Sequence, residues 1–289
     1  MVRLSNIKIR KDMNEEELFE EIYKKYRINP KSVTEKRIIK KSIDARNKND
    51  IFYNYTVEIS CKNEGKIKNA QKVIETKDIV IEIKRKSNVR PIIIGAGPAG
   101  LFSAVTLVKN GIKPIIIEQG KNVDERKTDV DEFLKSGKLN TMSNVQFGEG
   151  GAGTFSDGKL TSGIHNPLCK NVLQEFYNFG APKQILYMNK PHIGTDNLIN
   201  IIKNMRNKII ELGGTFLFNE KVVDFEIQES KIVAVKCSSG KTFETDTVIL
   251  AIGHSARDTF EKLYEKGVKM EKKNFSVGVR IEHKQEMIN

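Results

Sequence analysis

The residues best placed to do chemistry stand in one stretch, Gly95-Ala96-Gly97-Pro98-Ala99-Gly100, directly after the apolar run Ile92–Ile94. Glycines at this spacing let the chain turn tightly at Gly95, let main chain approach a pyrophosphate at Gly97, and let helix and strand pack closely at Gly100. The amides that open the following helix face the same place, where the helix dipole favours negative charge. Pro98 suits a first helical turn, because an N–H there has no partner within the helix. A second apolar run, Pro114-Ile115-Ile116-Ile117, ends on Glu118, about 20 residues after the motif, the position from which a carboxylate holds a ribose hydroxyl. The chemistry indicated is dinucleotide binding. No residue qualifies from sequence as a catalytic acid or base.

Other reactive side chains are dispersed. Cys61, Cys169 and Cys237 offer neither a Cys-x-x-Cys pair nor metal-ligand spacing. His165, His192, His254 and His283 are scattered too, so no metal site is expected. A second glycine-rich stretch runs from Phe147 to Leu160, and Gly148, Gly150 and Gly153 repeat the motif's spacing. The segment before it is polar, and no apolar strand ending on an acid follows, which excludes a second dinucleotide fold. Gly150, Gly151 and Gly153 beside Thr154, Ser156 and Asp157 suggest main chain pressed against a flat ligand. A flexible surface loop is the alternative.

The elements that must position these residues follow from periodicity. A strand over 2–10 breaks at Ser5-Asn6. Asn14 and Glu15–Glu17 start a helix whose apolar face is Leu18, Phe19, Ile22, Tyr23 and Tyr26. Strands over 35–43 and 51–59, a short helix through Ile67, Ala70, Val73 and Ile74, and a strand over 79–83 complete a β-α-β-β-α-β pattern, the ferredoxin-like order. An RNA platform puts aromatics on the open face of such a sheet. Tyr53 and Tyr55 share a face with Ile51, Val57 and Ile59, which reads as core. Beyond the glycine motif, a polar segment (Gln119 to Thr128) leads to a short helix near 130–134, then to a helix over 168–179. Thr195 caps a clearer helix, with Leu198, Ile201, Ile202, Met205 and Ile209 on one face and Gly213-Gly214 at its end. Short strands at 215–218, 221–227 and 231–237 precede a turn at Ser238-Ser239-Gly240 and a further strand. Residues 247–253 read as a buried parallel strand, and Ser255-x-x-Asp258 as a capping box. Phe275 to Ile281 is strand-like.

At 289 residues the chain can hold two domains, and its net charge is +12. Residues 1–90 carry 23 Lys and Arg against 14 Asp and Glu, a net +9, while the rest carries +3. Such a basic segment could meet nucleic acid, an acidic partner or a membrane surface. A Lys/Ile/Asn-rich composition that decorates solvated faces with lysine is the favoured account, and nucleic acid is not expected as a partner. No stretch reaches the apolar length of a membrane span and the charged N-terminus lacks a signal-peptide core, so the cytoplasm is the expected location.

The glycine motif, Glu118, the late meander and the strand Val248 to Gly253 together resemble an FAD domain of the glutathione-reductase structural class. Ala251 and Gly253 match its second flavin motif, and Gly100-x-x-x-Ala104 its extended fingerprint. Three longer stretches, Gly148 to Leu160, Lys190-Pro-His-Ile-Gly-Thr-Asp196 and Ala251 to Phe260, resemble the uncharacterised FAD-dependent dehydrogenases, also called NAD(FAD)-utilising. Ser42-Ile-Asp-Ala-Arg46 resembles that family as well, so the likeness spans nearly the whole chain. The resemblance implies an α/β protein in three parts. A ferredoxin-like domain would occupy 1–87 and an incomplete Rossmann-type FAD domain 88–260, with the start of a truncated substrate domain at 261–289. It implies FAD as cofactor, NAD(P)H as a transient electron donor, and a small-molecule substrate or acceptor.

The implied cofactor contacts are Gly95, Ala96, Gly97, Pro98, Ala99 and Gly100 at the pyrophosphate and Glu118, with Gln119 beside it, at the adenosine ribose. Arg126 would help neutralise phosphate, with a solvated surface arginine as the favoured alternative, Val222 and Val223 would line the adenine, and Ala251 and Gly253 the AMP half. The loop Gly150, Gly151, Gly153, Thr154, Ser156 and Asp157 would approach the ring. Members of this family continue past the point where this chain stops. Two rival readings are a flavin-dependent protein acting on RNA and a non-catalytic flavoprotein fragment.

Overall fold

The computed structural model describes residues 1–10, 12–74, 79–84, 88–155, 158–161, 163–164, 166–279 and 281–288. In the N-terminal part, β1 (Val2–Ile9), β2 (Val33–Asp44), β3 (Phe52–Cys61) and β4 (Gln71–Lys72) form a sheet in the order β2-β3-β1-β4, with α1 (Glu15–Tyr26) against one face. The expected break in β1 is a bulge: its register with β3 shifts between Leu4 and Ile7, and Asn6 takes a φ of 58°, which asparagine tolerates. Asn14 closes a capping box on α1. Its Oδ1 accepts from the Glu17 amide at 3.0 Å, and its own amide donates to the Glu17 carboxylate at 3.2 Å. Leu18, Phe19 and Ile22 on the apolar face are fully buried against Tyr55, Val57 and Ile59. Tyr55 is therefore core, with Tyr53 packed beside it and the Lys41 ammonium 4.9 Å from the Tyr53 ring centroid.

Two expected elements are absent here. No helix forms over 67–74; a 3-10 turn at Glu64–Lys66 leads straight to β4. Ile67 and Ala70, the apolar residues that suggested a helix, pack onto the same core from this short connection. Residues 79–83 are not a strand. The edge of β1 at Val2 and Arg3 is already taken by β4, so Ile79 and Ile81 stay exposed while Ile83 packs on the second half of the chain. The helix-strand end of the β-α-β-β-α-β pattern is thus not formed.

The second half is built on a parallel sheet of β5 (Ile92–Ile94), β6 (Ile115–Ile117), β7 (Thr215–Leu217) and β11 (Val248–Leu250), in the order β11-β5-β6-β7. Ile92, Ile93 and Ile116 are fully buried, as strands covered on both faces require. Between β5 and β6 lies α2 (Pro98–Lys109). Between β6 and β7 lie α3 (Val123–Ser136), α4 (Leu168–Asn178) and α5 (Thr195–Glu211). A separate antiparallel meander, β8 (Val222–Gln228), β9 (Lys231–Cys237) and β10 (Thr242–Glu244), precedes β11, and α6 (Arg257–Glu265) follows it. The chain steps from β5 outward to β7 and then returns to the opposite side of β5. Strand order reverses at that point, and such a reversal opens a crevice at the carboxyl ends of the strands.

Four sequence expectations change here. The polar segment 119–128 is largely the first turns of α3, capped by Asn122, whose Oδ1 accepts from the Asp124 and Glu125 amides at 3.1 Å. Its inward stripe is only Val123, Arg126 and Val130, too sparse for an apolar period. Thr195 is the first residue of α5, and Gly194 (φ 85°) holds the cap position. Ser255-x-x-Asp258 forms no capping box. Ala256 caps α6 without a side-chain bond, and Asp258 pairs with Lys221 instead. Residues 275–279 form no strand, and Phe275 and Val277 stand 86% and 84% exposed.

The two halves meet where the main chain of Lys41 on β2 donates to Tyr187 at 2.7 Å and accepts from the Asn189 amide at 2.9 Å. Among the described residues no helix is long and apolar enough to cross a membrane.

On the face of the N-terminal sheet away from α1, Glu58 is buried to 1% exposure beneath two arginines. Arg3 donates to one carboxylate oxygen at 2.9 and 2.5 Å and Arg37 to the other at 2.7 Å. Burial alone would raise the Glu58 pKa, but the arginine bonds outweigh it and hold the carboxyl below its ordinary value. The stability this contributes is present above the ordinary glutamate pKa and lost as pH falls through the lowered folded value. Glu58→Gln should cost about 1–3 kcal/mol at neutral pH, by leaving charged donors underpaired. It should also reduce the loss of melting temperature between neutral and acid buffers. Thermal melts of both proteins at the two pH values check this; parallel pH profiles would contradict it.

Candidate functional site

A cleft of about 350 Å³ opens at the strand-order reversal. Its floor is the turn after β5, one wall is the end of β11 and the start of α6, and the other is the loop 146–152. The floor is made of main chain packed too tightly for side chains. Gly95 has φ 101°, and a Cβ there would lie 2.4 Å from the Ala251 carbonyl oxygen. A Cβ on Gly100 would lie 1.9 Å from the Gly95 carbonyl oxygen, so only glycine lets α2 settle this low on β5. Gly97 differs. Its φ is an ordinary −70°, and a Cβ would meet only the Gly151 Cα at 3.9 Å, because its open side is the cleft itself. Gly97 caps α2 and Pro98 is its first residue, so the unbonded amides of the first helical turn stand at the cleft.

Glu118 directly follows β6 and is almost fully buried. One carboxylate oxygen accepts from the Ala96 amide at 2.7 Å, the other from the Gly120 amide at 2.8 Å. These bonds fix the carboxylate across the turn, and each oxygen keeps a lone pair for a ligand hydroxyl. Gln119 lines the cleft beside it.

Arg126 departs from expectation. It is fully buried on α3, and its guanidinium faces protein carbonyls rather than phosphate or solvent. Nε donates to Asn144 at 2.8 Å, Nη1 to Glu149 at 2.6 Å and Gly148 at 3.3 Å, and Nη2 to Val145 at 2.9 Å. Burial lowers its pKa to about 10, against the opposing pull of Glu118 and Glu149, so it is a cation at neutral pH. The neighbouring Glu149 carboxylate is buried as well. It accepts from the Val123 amide at 2.7 Å and Arg206 Nη1 at 2.5 Å, while its Oε1 finds no partner among the described residues. Burial pushes its pKa up, beyond what the amide and Arg206 recover.

Of the residues expected at a cofactor, Gly95, Gly97, Pro98 and Ala99 line the cleft, as do Gly151, Val222, Ala251 and Gly253. Others stand behind it. Ala96 is buried and binds Glu118, Gly100 is the helix contact, and Gly150 donates to Ala96 O at 2.8 Å. Gly153 is off the cleft lining, and Thr154 is buried with Oγ1 against Gly150 and no bond partner among the described residues. Val223 is 41% exposed on the other face of β8, because successive strand residues point opposite ways. Ser156 and Asp157 lie outside the described residues. The cysteines are free and none lines the cleft, and burial raises the Cys237 thiol to about 11.

Sequence reasoning missed several lining residues. Gln146 comes from a polar segment without period, Phe147 and Gly148 open the glycine-rich stretch ahead of the residues expected at the ligand, and Glu220 and Lys221 precede β8 with no motif of their own. His254 and Ser255 were findable, since they directly follow Gly253 at the carboxyl end of β11.

Comparison with known proteins adds a family. Residues 127–274, just over half of the chain, match the flavin containing amine oxidoreductases, and the chain belongs to that family. Residues 1–60 match a domain of unknown function. An uncharacterized protein of Clostridium beijerinckii is 43% identical over 298 residues, covering 100% of this chain and 55% of the relative. The chain therefore spans about half the length of the curated relative it matches. Among solved structures, THI4 of Thermovibrio ammonificans shows a TM-score of 0.44 at 14% identity, over 63% of this chain and 64% of that one. Glycine oxidase from Bacillus cereus shows 0.41 at 14%, over 63% and 59%. These structural likenesses are slight.

Gly100→Ala should destabilise the protein by about 3 kcal/mol or more, since the added carbon meets a carbonyl rather than a movable side chain. That outweighs the roughly 1 kcal/mol alanine gains over glycine in a helix. Urea unfolding measures it, and an unchanged midpoint would refute the close contact.

Proposed function

We propose that the cleft binds FAD in a Rossmann-type manner, and that the chain is the nucleotide-binding part of an FAD-dependent oxidoreductase. The observation that carries the reading is the meeting, at one strand-order reversal, of the α2 N-terminus, the open side of Gly97 and the buried Glu118 carboxylate. An anionic diphosphate suits the first feature, close main-chain approach needs the second, and a ribose diol suits the third. Membership of a flavin-containing family supports the same cofactor.

In this reading Gly95, Gly97, Pro98 and Ala99 cradle the pyrophosphate, with Ala96 and Gly100 supporting the turn from behind. Glu118 holds the adenosine ribose, with Gln119 beside it, Val222 lines the adenine, and Ala251 and Gly253 border the AMP half. FAD when bound supplies the two-electron chemistry, exchanging hydride with NAD(P)H or an organic substrate. This chain's residues bind and orient the cofactor and exclude water from its AMP end. Residues 1–87 and 88–260 act as two domains, the second carrying the cofactor. The partners are small molecules rather than nucleic acid, since Tyr55 belongs to the core of the N-terminal sheet and Tyr53 packs against it.

Titration of the apo-protein with FAD, followed by the flavin visible spectrum and fluorescence, tests the reading. Gly97→Val should abolish binding while the fold stays largely intact, because the branched side chain enters ligand space and touches little protein. Only its poorer capping of α2 lowers the melting temperature slightly. Flavin retained by this variant would sink the assignment of the loop.

A further inference from the structure

We propose that Arg126 is a positioning residue for the cleft, holding the wall of residues 144–149 in place without touching the ligand. The loop from 138 to 151 has no helix or strand of its own, so its carbonyls need other partners. Arg126 supplies them from below, to Asn144, Val145, Gly148 and Glu149, while Gln146, Phe147 and Gly148 face the cleft. The flat fork of five donors spans both ends of the loop at once. A lysine, with three donors on one atom, cannot do so.

The packing around the guanidinium is specific to arginine. A Cβ on Gly148 would lie 2.4 Å from Arg126 Cδ, so the arginine stem occupies the space a side chain would take. A Cβ on Gly120 would lie 2.7 Å from Gly148 Cα, so the loop also packs directly on the segment just after Glu118. The Phe155 ring closes over the guanidinium, its centroid 4.8 Å from Cζ. Glu149 anchors the same loop to the first amide of α3 and to Arg206 of α5. Burying a cation this completely is costly unless its donors find acceptors. Here all three guanidinium nitrogens donate, in four hydrogen bonds, to one strip of neutral main chain, the strip that walls the cleft.

The ligand arm of the test rests on the nucleotide reading above; the exchange arm does not. The variants are Arg126→Lys and Arg126→Ala, studied by amide hydrogen exchange and by titration with ADP. Exchange across 144–149 should rise about tenfold or more in both variants while the α2 and α5 amides keep their protection. ADP affinity should fall about tenfold. Methylguanidinium added to Arg126→Ala should restore loop protection and affinity, and methylammonium should not. Unchanged loop exchange in Arg126→Lys overturns the proposal, and so does an equal rise in α2 and α5, which would make Arg126 a general core residue. Failure of the native protein to bind ADP would instead refute the nucleotide reading, and loop exchange with its rescue would still decide the role of Arg126.

Discussion

The carbonyl of Gly95 sits where a side chain at residue 100 would begin, and the second half of the molecule depends on that contact. It draws the N-terminus of α2 down onto the end of β5. On the opposite side, the Ala251 carbonyl closes on Gly95 just as tightly. Three main-chain segments thus converge with no side chains between them, and the space they leave is the cleft. Side chains enter as braces. Glu118 ties the turn to the end of β6, Arg126 ties the far wall to α3, and Glu149 ties that wall to α5. Each brace is a buried charge that hydrogen-bonds main chain.

That division explains what could be read from sequence. Main-chain approach requires glycine, and glycine spacing is visible, so the floor of the cleft was legible. The periodic helices were legible too, through Leu18 to Ile22 on α1 and Leu198 to Ile209 on α5. The braces were less so. Arg126 has the same letter whether it grips carbonyls, binds phosphate or waves in solvent, and only the position of residues 144–149 distinguishes these. Glu149 likewise lies between two glycines with nothing to mark it as buried.

The misread elements share a cause. Residues 79–83 and 275–279 alternate as strands do, but a strand exists only where an edge is free to accept it. At β1 that edge belongs to Gln71 and Lys72, two residues with no strand signature. The helix expected over 67–74 failed in the same way, because Ile67 and Ala70 reach the core from a turn. In α3 the opposite happened: capping by Asn122 and inward packing of a charged residue made a helix without an apolar stripe. Tertiary partners decided each case, and local pattern could not report them.

The apolar alternation of Phe275, Val277, Val279 and Ile281 also has a meaning for the nascent chain. Exposed, β-prone and uncharged at every second position, it has the composition that seeds intermolecular cross-β stacking. The sequence surrounds it with charge, Lys272 and Lys273 before and Glu282 and Lys284 after, in the manner of gatekeepers that keep such a segment from self-association. Solubility during synthesis would then draw on those flanking charges together with Arg280 inside the segment, and the four flanking residues do not line the cleft.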